Sequence, residues 1–181
     1  NSDSTIQYKI KISYFNLCQD YVSVTFPPQF WNLEYSGPPL WSRATVGAFA
    51  TSGGSAVFKN YEAESGATQY MISNPFGMSV TGDSLKFNHA YATYQTEIDS
   101  LIIEVSSNSG LSYSILERLA GGVSGNLVTA SPRTNSFVPN PTQWATKRYA
   151  LPIGTDLIRF QAVSASGNNL YLDNICKVNG T

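Results

Sequence analysis

The stretch Leu170-Tyr171-Leu172-Asp173-Asn174-Ile175, introduced by Gly167-Asn168-Asn169, sets one carboxylate and one amide into an otherwise apolar, β-favouring run. Its aliphatic and aromatic residues specify a buried strand. A carboxylate buried there needs a cation or a dense set of hydrogen-bond donors. This strand is expected to close an antiparallel sandwich, with Asp173 as its candidate metal ligand.

Outward from that stretch, residues 157–163 and 148–151 read as strands separated by Pro152-Ile153-Gly154-Thr155. Residues 100–106 are β-branched and bounded by Asn108-Ser109-Gly110, so they are expected to form a hairpin with residues 113–119. In residues 84–94, alternation puts Leu85, Phe87, His89, Tyr91 and Thr93 on one face. Shorter runs at 56–58 and 70–73 end in turn signals. Residues 20–26 read as a strand that stops at Pro27-Pro28, where no backbone donor remains for a ladder. Residues 29–43 mix Trp31 and Trp41 with Gly37-Pro38-Pro39 and read as an irregular crossover pinned by aromatics. Residues 6–15 alternate as a half-exposed strand. No helical periodicity competes. Strands at intervals of about ten residues with turns between them specify an all-β, antiparallel jelly-roll β-sandwich. Residues 17–181 are assigned to this domain, and residues 1–16 to an N-terminal edge strand or a link to a preceding module.

A chain of 181 residues is long enough for one large domain with a substantial core. Charged residues make up 13% of it, about half of an average share, so Ser, Thr, Asn and Gln must supply solubility, as in secreted β-proteins. Aromatics also reach 13%, which argues against disorder. The net charge is −1 and the 11 Lys and Arg are scattered, which excludes a nucleic-acid footprint. No run approaches the ~20 apolar residues of a membrane span. The start, Asn1-Ser2-Asp3-Ser4, lacks the features of a signal peptide and is expected to be that of a mature form or an excised piece. Cys18 and Cys176 are too far apart in sequence for a metal pair or a redox CxxC; they form either a disulfide between the terminal strands or two buried thiols.

Enzymatic chemistry finds little support. The single histidine, His89, lies in an alternating strand, where a satisfied core or interface role is the ordinary one, and there is no Gly-x-Ser-x-Gly elbow. Zinc would need several nitrogen or sulfur ligands. Glu62, Glu64, Glu104 and Glu117 fall in loops or on hairpin faces, not as a placed glycosidase pair. Calcium suits the residues better, because it takes oxygens brought together from distant strands. Asp173, Asn60 and Asp99 are its candidate ligands; otherwise Asp99 caps a turn and Asp173 accepts backbone amides. Trp31, Trp41 and Trp144 fall in loops or crossovers, either as stacking platforms for a ligand or as lids over one end of the core.

Several motifs, taken together, resemble one family. They are Phe26-Pro27-Pro28-Gln29-Phe30-Trp31, Trp41-Ser42-Arg43, Asn60-Tyr61, residues 85–94, Asp99-Ser100-Leu101, Phe137-Val138-Pro139 with Trp144, Ile158-Arg159-Phe160 and residues 167–175. Their order over residues 21–178 is similar to that of MAM-like, choice-of-anchor J or cleaved-adhesin domains of Bacteroidetes-type secreted surface proteins. The resemblance implies a non-catalytic, calcium-stabilised jelly roll that acts in adhesion or glycan binding. Such a module is secreted or held at the cell surface, commonly by type IX secretion, and its partner is a glycan or a surface protein. It also implies that Asp173 lies near calcium, with Asn60 and Asp99 at positions that could join it. The family's Phe-Glu pair before the Pro-Pro motif is absent here, where Tyr21-Val22-Ser23-Val24-Thr25 stands instead. Its Ser-x-x-Cys-Gly-x-x-Trp turn appears without Cys or Trp over residues 106–113. Two alternatives are a structural subunit of an extracellular assembly, self-associating through the N-terminal strand, and an ancillary domain of a secreted hydrolase.

Overall fold

The computed structural model describes residues 15–180. Among them the chain forms β1 (Cys18–Gln19), β2 (Trp31–Tyr35), β3 (Trp41–Ala44), β4 (Ser55–Phe58), β5 (Thr68–Ser73), β6 (Ser84–Tyr91), β7 (Ser100–Ser106), β8 (Ser114–Ala120), β9 (Ala145–Ala150), β10 (Leu157–Val163) and β11 (Leu170–Val178). The only helix among the described residues is a 3₁₀ turn at Ala48–Ala50. The first sheet runs β3-β4-β11-β6-β9, with β1 also paired to β11, and the second runs β2-β5-β10-β7-β8. All strand pairings are antiparallel, and the fold is a jelly-roll β-sandwich.

The opening stretch lies at the centre of the first sheet. Along one side of β11, Leu170, Tyr171 and Leu172 pair with β4, while Ile175 and Cys176 pair with β1. Along the other side it pairs with β6, with a register shift between Asp173 and Cys176. Asn174 takes φ 49° there, a left-handed conformation that Asn tolerates better than most residues, and the bulge redirects the strand. Cys18 and Cys176 are joined by a disulfide where β1 meets β11.

Phe58, Met71, Phe87, Ile103, Phe160 and Leu172 belong to the buried core between the sheets. Phe87 meets Phe160 edge-on at 5.5 Å, one ring from each sheet. One alternate residue in each of β4, β6 and β11 is apolar as well. Val57, Ala90 and Tyr171 therefore build a second, smaller core on the outer face of the first sheet, closed by Ala48, Phe137 and Trp144 from two long connections. No third buried apolar cluster lies on the outer face of the second sheet among the described residues.

Two local expectations are corrected. Residues 20–26 are not a strand: Asp20 and Ser23 accept the amides of Val22 and Thr25, satisfying the backbone locally instead of in a ladder. Residues 29–43 are not irregular throughout, since they hold β2 and β3, and the Gly37-Pro38-Pro39 segment is only the passage from one sheet to the other. The expected strand at 6–15 lies outside the described residues except for Phe15, which stacks on Phe30 with ring centroids 4.8 Å apart.

Candidate functional site

Both buried carboxylates are held by donors from the chain itself. Asp99, directly before β7, is fully buried. Its Oδ1 accepts the amides of Ala165 at 2.7 Å and Gly167 at 3.2 Å, and its Oδ2 accepts the amide of Asn168 at 2.9 Å and the Tyr91 hydroxyl at 2.8 Å. Only glycine fits at 167, because a Cβ there would come within 2.2 Å of the carboxylate. Asp173 accepts the amides of Ala48 and Asn174, each at 2.7 Å, and the Ser52 hydroxyl. Burial pushes its pKa above the usual carboxylate range, and these three donors pull it back in part. The loop that Asp173 anchors is strained, with Phe49 at φ 53° and Ala50 at φ 59°.

The third expected calcium ligand, Asn60, is buried with neither carboxamide atom partnered. Asp99, Asp173 and Asn60 share no hydrogen-bond partner. No group of three or more His, Cys, Asp or Glu side chains that could hold a metal ion occurs among the described residues. With four donors on Asp99 and three on Asp173, little lone-pair capacity is left for a cation. The three residues therefore do not fit a common calcium site.

The tryptophans do not offer stacking faces either. Trp31, Trp41 and Trp144 are 4%, 2% and 6% exposed. Trp31 packs on Phe160 and Trp41 on Phe58 between the sheets, and Trp144 packs on Tyr171 in the smaller core. Their sequence surroundings looked loop-like, but apolar area of this size is buried wherever a neighbouring sheet can receive it. His89 is in the core as expected from its strand; neither ring nitrogen makes a hydrogen bond of good geometry, although the backbone of Ala145 and Leu127 lies near enough to favour its charged form. Burial, helped by Lys147, lowers its pKa to about 4 and keeps it neutral.

The outer face of the second sheet carries a different arrangement. Arg159 of β10 lies opposite Glu104 of β7, and its Nε donates to a Glu104 carboxylate oxygen at 2.7 Å. The guanidinium carbon lies 3.6 Å from the ring centre of Tyr113 and 4.6 Å from that of Tyr70. Burial works against the Arg159 charge, but the Glu104 hydrogen bond and charge, together with the electrostatics of Tyr113 and Tyr70, outweigh it and its pKa rises. On the same face, Gln161 and Glu34 are the cross-strand neighbours of Tyr70 on either side. The array thus combines half-buried aromatic rings, a fixed cation and rim groups able to bond hydroxyls. Alternation in β10 already points Arg159 and Gln161 away from Ile158 and Phe160. Tyr70 and Tyr113 could not be found that way, because cross-strand neighbours are set by register.

No family model matches the chain, and no curated protein matches it in sequence. Solved structures do match in fold. The K1 cleaved adhesin domain of Lys-gingipain from Porphyromonas gingivalis W83 is 16% identical with a TM-score of 0.65, the match covering 92% of this chain and 99% of that one. A CBM61 module in complex with β-1,4-galactotriose is 9% identical with a TM-score of 0.54, over 93% of this chain and 99% of the module. A xylan-binding CBM22 domain is 12% identical with a TM-score of 0.51, over 91% of this chain and 95% of that domain.

Proposed function

We propose that this protein is a non-catalytic glycan-binding or adhesion module of an exported or cell-surface protein, and that its ligand lies across the open face of the second sheet. The observation that carries this reading is the Tyr70-Arg159-Tyr113 array. It is ordered by the Glu104 ion pair before any ligand arrives and lies on the face that no loop core covers. Tyrosine rings supply apolar faces for the C–H side of a sugar, and Glu34 and Gln161 supply hydroxyl partners along the same rows. Preordering lowers the entropic cost of binding. The fold shared with an adhesin domain and with modules solved with or named for polysaccharides supports the same class.

The test is a screen of the intact protein on immobilised glycans, followed by calorimetry of any hit with Tyr113→Ala and Tyr70→Ala. A loss of about tenfold or more in affinity for each variant is expected, near 1.4 kcal/mol. A hit whose affinity neither variant changes would move the site elsewhere, and a screen with no hits would remove the glycan reading.

A further inference from the structure

A groove of about 360 Å³ lies on another part of the molecule, between the β2–β3 passage and the turn that follows β4. Its floor is aliphatic, formed by Leu40, Ala63 and Ala67, and Glu62 and Glu64 stand on its rim. One wall is fixed by the buried Gln69, whose carboxamide accepts the Leu40 amide at 2.8 Å and donates to the Pro38 carbonyl at 2.7 Å. The opposite wall is a turn closed by the amides of Glu62, Ala63 and Ala67 on the carbonyls of Lys59, Asn60 and Glu64. The groove is thus formed in advance by the chain's own hydrogen bonds.

Its chemistry selects an occupant. No aromatic ring lines it, so a sugar has nothing to stack on, and the Gln69 amide is already engaged at both ends. An anion would meet carboxylates. Glu62 is loosely paired with Lys59 at 3.5 Å, and Glu64 has no ion-pair partner among the described residues. An apolar trough ending in negative charge complements a side chain with an aliphatic stem and a cationic head. The volume is near the lower end of the ~300–1,000 Å³ range of ligand pockets, enough for one long side chain with its flanking backbone. We infer that this groove is a docking site for a lysine or arginine side chain presented by an extended segment of a partner protein, separate from the sheet face proposed above.

The test is an ¹⁵N-resolved NMR titration of the whole protein with Nα-acetyl-lysine N-methylamide, run beside its uncharged norleucine counterpart. Saturable shifts are expected at amides of residues 36–40 and 62–69, weakening with salt, with a Kd on the order of millimolar for a single side chain. The norleucine compound is expected to bind at least about tenfold more weakly. Glu64→Lys, on an exposed position, should abolish the shifts through charge alone, and Ala67→Leu should abolish them by filling the floor. Absence of saturable shifts, equal shifts from norleucine, or unchanged binding in both variants would each overturn the inference. None of these results depends on whether a glycan binds the second sheet.

Discussion

The outer faces of the two sheets have the same strand periodicity and opposite surroundings. On the first sheet, Val57, Ala90 and Tyr171 point outward and are sealed by Trp144, Phe137 and Ala48, and Asp173 pins the sealing loop by accepting from Ala48 and Ser52. On the second, Arg159, Tyr70, Glu104 and Tyr113 point outward and satisfy one another without being covered. Apolar outward residues draw a loop over themselves because leaving them wet is costly. Mutually paired polar and aromatic residues do not, and a face of that kind stays available to a ligand. One sheet has spent its outer face on stability; the other keeps it for contact.

If that contrast holds, variants of the covered face lose stability and variants of the open face lose binding. The largest effect is expected from Trp144→Ala, which removes the lid ring over Tyr171 and should cost about 3–5 kcal/mol in denaturant unfolding. A cost below about 1 kcal/mol would mean that the lid is not part of the folded core. Next comes His89, beneath the first sheet. Its folded pKa of about 4 lies below the ordinary value near 6.5, so the folded state binds fewer protons than the unfolded one. Its contribution is therefore complete above pH 6.5 and is lost as pH falls towards 4, on the order of 3 kcal/mol in all. Replacing His89 by Gln should flatten the stability profile across that window.

Asp173→Ala comes third. It strands the amides of Ala48 and Asn174, while the Ser52 hydroxyl keeps the Gly54 carbonyl as an acceptor, and it also relieves a carboxylate whose charge is already disfavoured by burial. A net loss of roughly 2–3 kcal/mol is expected, with faster amide exchange in residues 47–52. Tyr113→Ala on the open face should change stability by less than about 1 kcal/mol while weakening ligand binding about tenfold or more, a separation no variant of the covered face should show. The smallest effect is assigned to chelation. Since protein donors occupy both carboxylates, a chelator should shift the melting temperature by no more than about 1 °C. A larger drop that Asn60→Ala abolishes would place a cation at that buried carboxamide.

Strands β7, β8, β10 and β11 could be read in the sequence because alternation and turn residues mark them locally. The two strands around Gly37-Pro38-Pro39 could not, because prolines and tryptophans in one short stretch give no local sign of which sheet each flank joins. The run from Asp20 to Phe26 misled for the opposite reason. Its β-favouring residues were outweighed by short polar side chains that bond their own backbone. At the sites, the need of Asp173 and Asp99 for partners was evident from their burial, but the identity of those partners was not.

What could be read without coordinates is what depends on near neighbours in the chain: an all-β sandwich, a buried acid in its last strand, and the absence of catalytic, nucleic-acid and membrane-helix signatures. What only the tertiary structure decided depends on residues far apart in sequence. The donors for Asp99 come from residues 66 to 69 positions away, apart from Tyr91, 8 positions away. Ala48 reaches Asp173 across 125 positions. Backbone amides carry no residue identity, so a cradle built from them leaves no motif in the sequence, whereas a cation cage built from side chains would have left one.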